Sequence, residues 1–150
     1  METRKHCGLF SAPMHHYQPM NRVALQTFSY FDTGVRASGA EPERFYHGFV
    51  LGLLVDLQGS YYVKSNRESG FGRYDVMLEP KKPGKDPAVI LEFKVRSTRK
   101  ENSLEETAQS ALAQIKDRKY SEELKEKGIA GEQIKEYGFA FEGKNVLIVD

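Results

Sequence analysis

Cysteine is nearly absent from this chain of 150 residues, since Cys7 is the only one. A single cysteine forms no intrachain disulfide and supports no cysteine-based zinc cluster, so a reducing, cytoplasmic setting is expected. No apolar run approaches the roughly 20 residues that a membrane helix needs. The first twenty residues carry three histidines and two prolines where a signal peptide would be apolar. Neither membrane insertion nor secretion is expected.

Net charge is also nearly absent, with a formal value of +1. So weak an overall field does not draw a protein onto nucleic acid or an anionic membrane, and any nucleic-acid site must therefore be a local patch. A phosphate-binding loop is missing as well, because Gly84-Lys85 and Gly143-Lys144 lack the rest of that motif. Nucleotide hydrolysis by this chain alone is not expected.

The length and the ordinary balance of 39% hydrophobic and 29% charged residues indicate one soluble globular domain. Residues 1–21 are interpreted as an irregular lead-in and residues 22–150 as the domain. Three histidines of the lead-in lack helical spacing and carboxylate companions, so a solvated tail is favoured over a metal site. They are His6, His15 and His16. Residues 23–31 are apolar enough to pack as a short helix or strand.

Hydrophobic periodicity predicts a mixed α/β domain with the order helix, three strands, helix, two strands. The predicted helices span residues 42–57, 103 to about 120 and, as a short piece, 122–127. The predicted strands span residues 60–65, 73–78, 88–95, 137–141 and 146–149. Gly48 and Gly52 are expected to keep the first helix slim enough for a sheet to lie against it. Ser103 and Glu106 form a capping box at the second helix.

Charged residues interrupt the most apolar strand. Alternation along residues 88–95 places Glu92 and Lys94 on one face with Ile90. Burying opposite charges seldom stabilises a protein more than apolar residues would, so such a pair needs another reason. Asp75, placed with Met77 on one face of the preceding strand, can converge with Glu92 if the two strands are neighbours. The opposite face of that strand is predicted to carry Tyr74, Val76 and Leu78.

Two converging carboxylates suit Mg²⁺ or Mn²⁺, which prefer hard oxygen ligands. A metal with a neighbouring ammonium group is sufficient for phosphodiester hydrolysis, because the lysine positions the attacking water or stabilises developing negative charge. An ordinary salt-bridge network of Asp75, Glu92 and Lys94 at a sheet edge is the alternative. Spacing alone does not decide between them.

Asp75, a variable spacer and then Glu92-Phe93-Lys94 after an apolar strand resemble the signature of the PD-(D/E)XK nuclease superfamily. More closely, three further blocks resemble the nuclease-like domain at the C-terminus of bacterial AAA-ATPase-like proteins. These blocks are residues 42–48 (PERFYHG), 65–75 (SNRESGFGRYD) and 114–115 (QI). The resemblance covers roughly residues 22–149 and implies a restriction-endonuclease-like core. Tyr74 departs from the proline of the superfamily name, and the ATPase part is missing, which implies a freestanding module or a remnant.

The resemblance also implies roles for individual residues. Asp75 and Glu92 would be metal ligands, with Phe93 of the same block included in the metal site, and Lys94 would be the catalytic lysine. Glu43 would be the acidic residue that the first helix contributes. Its alternative role is a first-turn carboxylate that stabilises the helix N-terminus.

Gln114 matches a catalytic-site glutamine on the helix after the third strand, and Arg118 shares its face at i+4. Both are expected to meet a phosphate or the active site, and an exposed helical pair is the alternative. Some relatives carry a tyrosine four positions after the glutamine. Tyr120 lies six positions on and is expected to face elsewhere.

The segment directly before Asp75 is predicted to contact nucleic acid through Ser69, Gly72 and Arg73. Glycines there, including Gly70, would let backbone amides approach a phosphate. The alternative is a plain strand connection with a surface arginine. The basic tip formed by residues 81–85 could touch a nucleic-acid backbone, although a solvated turn is favoured.

The expected function is Mg²⁺- or Mn²⁺-dependent cleavage of DNA, in preference to RNA. The alternative is a catalytically silent nuclease-fold module that binds nucleic acid or a protein partner such as a separate AAA-ATPase. Retention of both carboxylates and the lysine favours the enzyme. An edge strand at residues 146–149 also leads us to expect a homodimer.

Overall fold

The computed structural model describes residues 41–70 and 72–150 as a succession of helices and strands in the predicted order. The elements are α1 (Glu41–Leu54), β1 (Tyr61–Ser69), β2 (Gly72–Pro80), β3 (Ala88–Val95), α2 (Leu104–Asp117), α3 (Glu122–Glu126), β4 (Ile134–Glu142) and β5 (Asn145–Val149). Short 3₁₀ helices follow α1 at Val55–Gly59 and precede β4 at Gly131–Gln133. The predictions for the lead-in, its histidines and residues 23–31 lie outside the described residues.

The five strands form one mixed sheet in the order β1-β2-β3-β4-β5. Only β3 and β4 run parallel, because α2 and α3 lie between them in the chain and provide the crossover. The other neighbours are antiparallel. The predicted mixed α/β architecture is confirmed, and β1 and β5 are the two edges.

The core lies in two layers, one on each face of the sheet. Alternation along β3 directs Val89, Leu91 and Phe93 towards α1, while Ile90 packs with residues of α2 and α3. The α1 side holds Tyr46 stacked on Phe141, with ring centroids 4.2 Å apart. Within the described residues, no helix is long and apolar enough to cross a membrane.

Local signals explain where the elements begin and end. Ser103 caps α2 by accepting a hydrogen bond from the Glu106 N–H at 3.1 Å. The Glu106 carboxylate in turn accepts a hydrogen bond from the N–H of Asn102, rather than from that of Ser103 as in a standard capping box. The strand β3 has the predicted bounds, whereas β1 continues four residues beyond residue 65 because it pairs along the whole of β2.

Two predictions about packing are wrong. Gly48 and Gly52 face open space, and the close approach of helix and sheet occurs instead at Gly138, where an added Cβ would lie 2.3 Å from the Ala108 carbonyl oxygen. Tyr74 packs with Met77 on the α2 side rather than with Val76 and Leu78. The alternation of β2 breaks where Asn66, opposite Asp75, has φ +51° and interrupts the β1–β2 pairing.

Candidate active site

The site forms where β2 and β3 separate. Their pairing ends at Val76 and Leu91, so Asp75 is the first residue beyond the ladder. Its Oδ2 accepts a hydrogen bond of 2.7 Å from the N–H of Phe93 and so replaces the missing strand partner. The side chain of Asp75 is only 15% exposed. The strand divergence thus holds one carboxylate between two strands.

Glu92 is the most deeply buried charged residue of the site, at 4% exposure. Its Oε1 accepts a hydrogen bond from the side-chain amide of Gln114, and its Oε2 has no hydrogen-bond partner. Burial and the neighbouring Asp75 carboxylate raise the pKa of Glu92 to about 8, although a hydrogen bond from the Asp75 main chain and the Lys94 ammonium oppose that rise. A buried acceptor without a partner is costly in a folded protein, which marks Oε2 as a position for a ligand.

The charges around these carboxylates are coupled. Burial raises the pKa of Asp75, while the Phe93 N–H and the Lys94 ammonium oppose that rise. Partial burial and then the Asp75 carboxylate raise the pKa of Glu43, which is a solvent-accessible residue of α1. Lys94 also acts on Glu43, so one ammonium faces three carboxylates. Lys94 is held in place by donating to Ser110 Oγ at 2.9 Å.

His47 also belongs to the site, although it was not among the predicted site residues. Its Nδ1 lies 3.8 Å from Asp75 Oδ1, and its Nε2 lies 2.7 Å from Ser65 Oγ. The imidazole also meets the Phe93 ring edge to face, with centroids 5.5 Å apart. The available signal was the i, i+4 spacing of Glu43 and His47, which places both on the face of α1 towards the site.

The helix after β3 contributes more than the predicted glutamine. Gln114 contacts Glu92 as expected, and its Nε2 also lies 3.4 Å from the hydroxyl of Tyr120. The expectation that Tyr120 faces elsewhere is wrong. The helix ends at Asp117 and Lys119 adopts φ +54°, so the chain turns back and carries the buried Tyr120 towards Gln114.

The predicted nucleic-acid contacts lie beside the carboxylates. Arg73 and Arg118 are both solvent-exposed, and Arg118 is the C-cap of α2, where its N–H donates to the Gln114 carbonyl oxygen at 2.9 Å. Close packing explains why glycine occupies positions 70 and 72. A Cβ at Gly70 would lie 2.3 Å from the Arg118 carbonyl oxygen, and one at Gly72 would lie 2.9 Å from the Tyr120 hydroxyl. Ser69 ends β1 opposite Gly72.

The carboxylates fit a divalent cation. No group of three or more histidine, cysteine, aspartate or glutamate side chains arranged to hold a metal occurs in the part of the chain that the structure describes. Mg²⁺, however, is usually held by one or two carboxylates plus water and substrate phosphate. Asp75, Glu92 and the unpartnered Oε2 meet that requirement. The Phe93 ring is buried in the core, so only the main chain of that residue is available to a metal.

Comparison with known families agrees with this geometry. The family model described as the PD-(D/E)XK nuclease superfamily matches residues 41–150, which include both strands of the site and the helices on either side. No significant match is found among curated proteins or among solved structures. The mixed sheet with flanking helices is consistent with the restriction-endonuclease-like fold of that superfamily. The chain therefore belongs to the PD-(D/E)XK nuclease superfamily.

Proposed function

We propose that this chain is a divalent-metal-dependent nuclease that hydrolyses phosphodiester bonds of DNA, in preference to RNA. The observation that carries the proposal is the buried, unpartnered Oε2 of Glu92 beside Asp75, with Lys94 close enough to lower the pKa of both carboxyls. Like charges gathered in a buried place destabilise a protein unless a cation or protons compensate them. A metal site explains this arrangement better than an ordinary salt bridge does.

Asp75, Glu92 and the main chain of Phe93 would hold the ion, Mg²⁺ or Mn²⁺, which when bound neutralises phosphate charge and lowers the pKa of water. Lys94 positions the attacking water and stabilises negative charge that develops on the phosphate. Ser110 orients the Lys94 ammonium, and Gln114 orients Glu92 through its Oε1.

The surrounding residues have supporting roles in the proposal. Glu43 adds a third carboxylate at the exposed side of the site. Arg73 and Arg118 contact phosphates flanking the scissile bond, and the backbone at Ser69 and Gly72 lines the same approach. A reducing, cytoplasmic setting is proposed from the single cysteine.

Cleavage assays with purified protein test the proposal. Linear, circular and single-stranded DNA are each incubated with Mn²⁺ and one of four proteins: the parent, Asp75→Asn, Lys94→Ala or Lys100→Ala. The last protein is a control for the loss of an exposed lysine. We expect the parent and the Lys100→Ala protein to cleave and the other two to lose activity. Cleavage that survives both Asp75→Asn and Lys94→Ala comes from a contaminant and contradicts the proposal.

A catalytically silent module that binds nucleic acid or a separate AAA-ATPase is the second candidate. The observation in its favour is that, among the described residues, no group of three or more histidine, cysteine, aspartate or glutamate side chains is arranged to hold a metal. Metal titration separates the two candidates, because an ion that binds the folded protein must raise its stability. If millimolar Mn²⁺ neither binds nor raises the melting temperature, the silent module is the better account.

A further inference from the structure

A groove of about 560 Å³ runs along the edge strand β1, on the sheet face that α3 also covers. Its lining includes Tyr62, Lys64, Arg67, Glu79, Lys81 and Lys127. None of these residues takes part in the carboxylate site. The groove is therefore a separate surface of the domain.

Positive charge is concentrated in the groove. Four of the lining side chains are cationic and one is a carboxylate, although the whole chain has a net charge of only +1. Lys64 and Lys127 are both paired with Glu79 and also with Glu123 of α3, so two carboxylates balance these two lysines. Arg67 and Lys81 remain as cations without a carboxylate partner among the described residues, so the groove is complementary to an anionic ligand.

Tyr62 places an aromatic ring in this groove. It is 56% exposed, which is unusual for a large side chain on a sheet. The ammonium of Lys81 lies 5.2 Å from the ring centroid and donates to the Gln58 carbonyl oxygen at 2.6 Å. The lysine thus covers the ring from a fixed position and leaves more than half of the tyrosine accessible.

The groove begins next to the active site. On β1, Arg67 lies opposite Tyr74, the neighbour of Asp75, and Tyr62 lies opposite Glu79 further along the same two strands. Five residues of a strand span roughly 17 Å, which is the distance over which the groove leads away from the carboxylates. Arg67 is therefore the lining residue of β1 that lies nearest to Asp75 in the strand register.

We propose that this groove binds an unpaired strand of nucleic acid, with phosphates at Arg67 and Lys81 and a base stacked on Tyr62. The identity of the ligand rests on the proposed nuclease function. An exposed ring stacks only on a base that has left a duplex, and basic grooves with aromatic platforms are the usual means of binding single strands. The substrate class is therefore nucleic acid with a single-stranded segment next to the cleavage point.

Fluorescence anisotropy in EDTA tests the proposal without cleavage, using a labelled oligothymidylate and a labelled duplex. We expect Tyr62→Ala to weaken oligothymidylate binding by roughly ten-fold or more and to leave duplex binding unchanged, while Tyr62→Phe binds as the parent does. Lys81→Ala should lower the slope of log affinity against log salt by about 0.7, the value for one single-strand phosphate contact. Lys100→Ala, an exposed lysine outside the groove, is the matched control and should bind normally.

Equal losses for Lys81→Ala and Lys100→Ala would overturn the proposal, and so would equal losses on both ligands for Tyr62→Ala. Thermal melts of the variants serve to check that each one is folded. The proposed function fails separately, because it is read from cleavage with Mn²⁺. A parent that binds oligothymidylate through Tyr62 but does not cleave would leave the groove assignment intact and refute only the enzyme.

Discussion

Replacing Glu92 with glutamine is expected to remove a pH dependence of stability from the metal-free protein. Burial and Asp75 raise the pKa of Glu92 from 4.5 to about 8. Because the folded protein holds this proton more tightly than the unfolded chain, the stability it contributes is full below pH 4.5 and is lost as the pH rises through 8. Glutamine does not titrate, yet its carbonyl oxygen can still accept the hydrogen bond from Gln114.

The size of the effect follows from the separation of the folded and unfolded pKa values of Glu92. Each pH unit between them corresponds to about 1.4 kcal/mol. Raising the pH from about 5 to about 8 should therefore destabilise the parent by on the order of 4 kcal/mol relative to Glu92→Gln. At roughly 3 °C per kcal/mol for a domain of this size, the difference in melting temperature changes by roughly 10 °C.

Thermal and urea unfolding in EDTA across this pH range measure the difference between parent and variant. Glu105→Gln, an exposed carboxylate on α2, is the control and should follow the parent. Addition of Mn²⁺ at pH 8 should stabilise the parent and not the Glu92→Gln protein. If the stability of the parent and of Glu92→Gln changes in parallel with pH, ionisation of Glu92 does not destabilise the folded protein, and a metal is not needed to compensate its charge.

Three further outcomes are expected. Asp75→Asn in EDTA should be neutral or more stable by up to about 1 kcal/mol, because asparagine can still accept the Phe93 N–H while one charge is removed. If the Asp75→Asn protein melts at a clearly lower temperature than the parent in EDTA and Mn²⁺ stabilises both proteins equally, Asp75 has a structural role instead. Gly70→Ala should cost more than about 2 kcal/mol in urea unfolding, because its φ is +58° and the new Cβ would meet the Arg118 carbonyl. Gly84→Ala is the control, because Gly84 has φ +86° but open space around it, and it should cost only about 1 kcal/mol. Similar losses of stability for Gly70→Ala and Gly84→Ala would disprove a role for the close contact between residue 70 and the Arg118 carbonyl. Light scattering should show self-association through a sheet edge, and a monomer mass at tens of micromolar would exclude a homodimer.

Much of the fold could be predicted from local patterns. The apolar run with its two charges predicted β3 and the face shared by Glu92 and Lys94, because strand alternation depends only on neighbouring residues. The cap at Ser103 and the order of elements followed from similarly local signals. The resemblance to the PD-(D/E)XK nuclease superfamily, which the family match confirms, came from short blocks of the same kind, and the closer resemblance to an ATPase-associated domain stays a prediction. The catalytic and metal-binding roles of these residues stay predictions.

Interactions between residues distant in the chain could not be predicted in this way. His47 meets Asp75 and Ser65 only because α1 packs on the sheet over β3, and a helical spacing does not say which strand the helix will cover. Tyr120 faces Gln114 because a turn at Lys119 reverses the chain, and periodicity ends at such a turn.

The sequence by itself determined that Glu92 and Lys94 share one face of β3, since alternation along a strand is a local property. That Asp75 lies next to them depends on the pairing of two strands. Only the tertiary structure decided how they are held. The separation of β2 from β3 creates the bond between Phe93 and Asp75, and the packing of α2 on the sheet brings Gln114 to Glu92 while leaving its second oxygen unpartnered. Burial, and with it the raised pKa of Glu92, arises from the whole set of surrounding elements, which no single segment of the chain encodes.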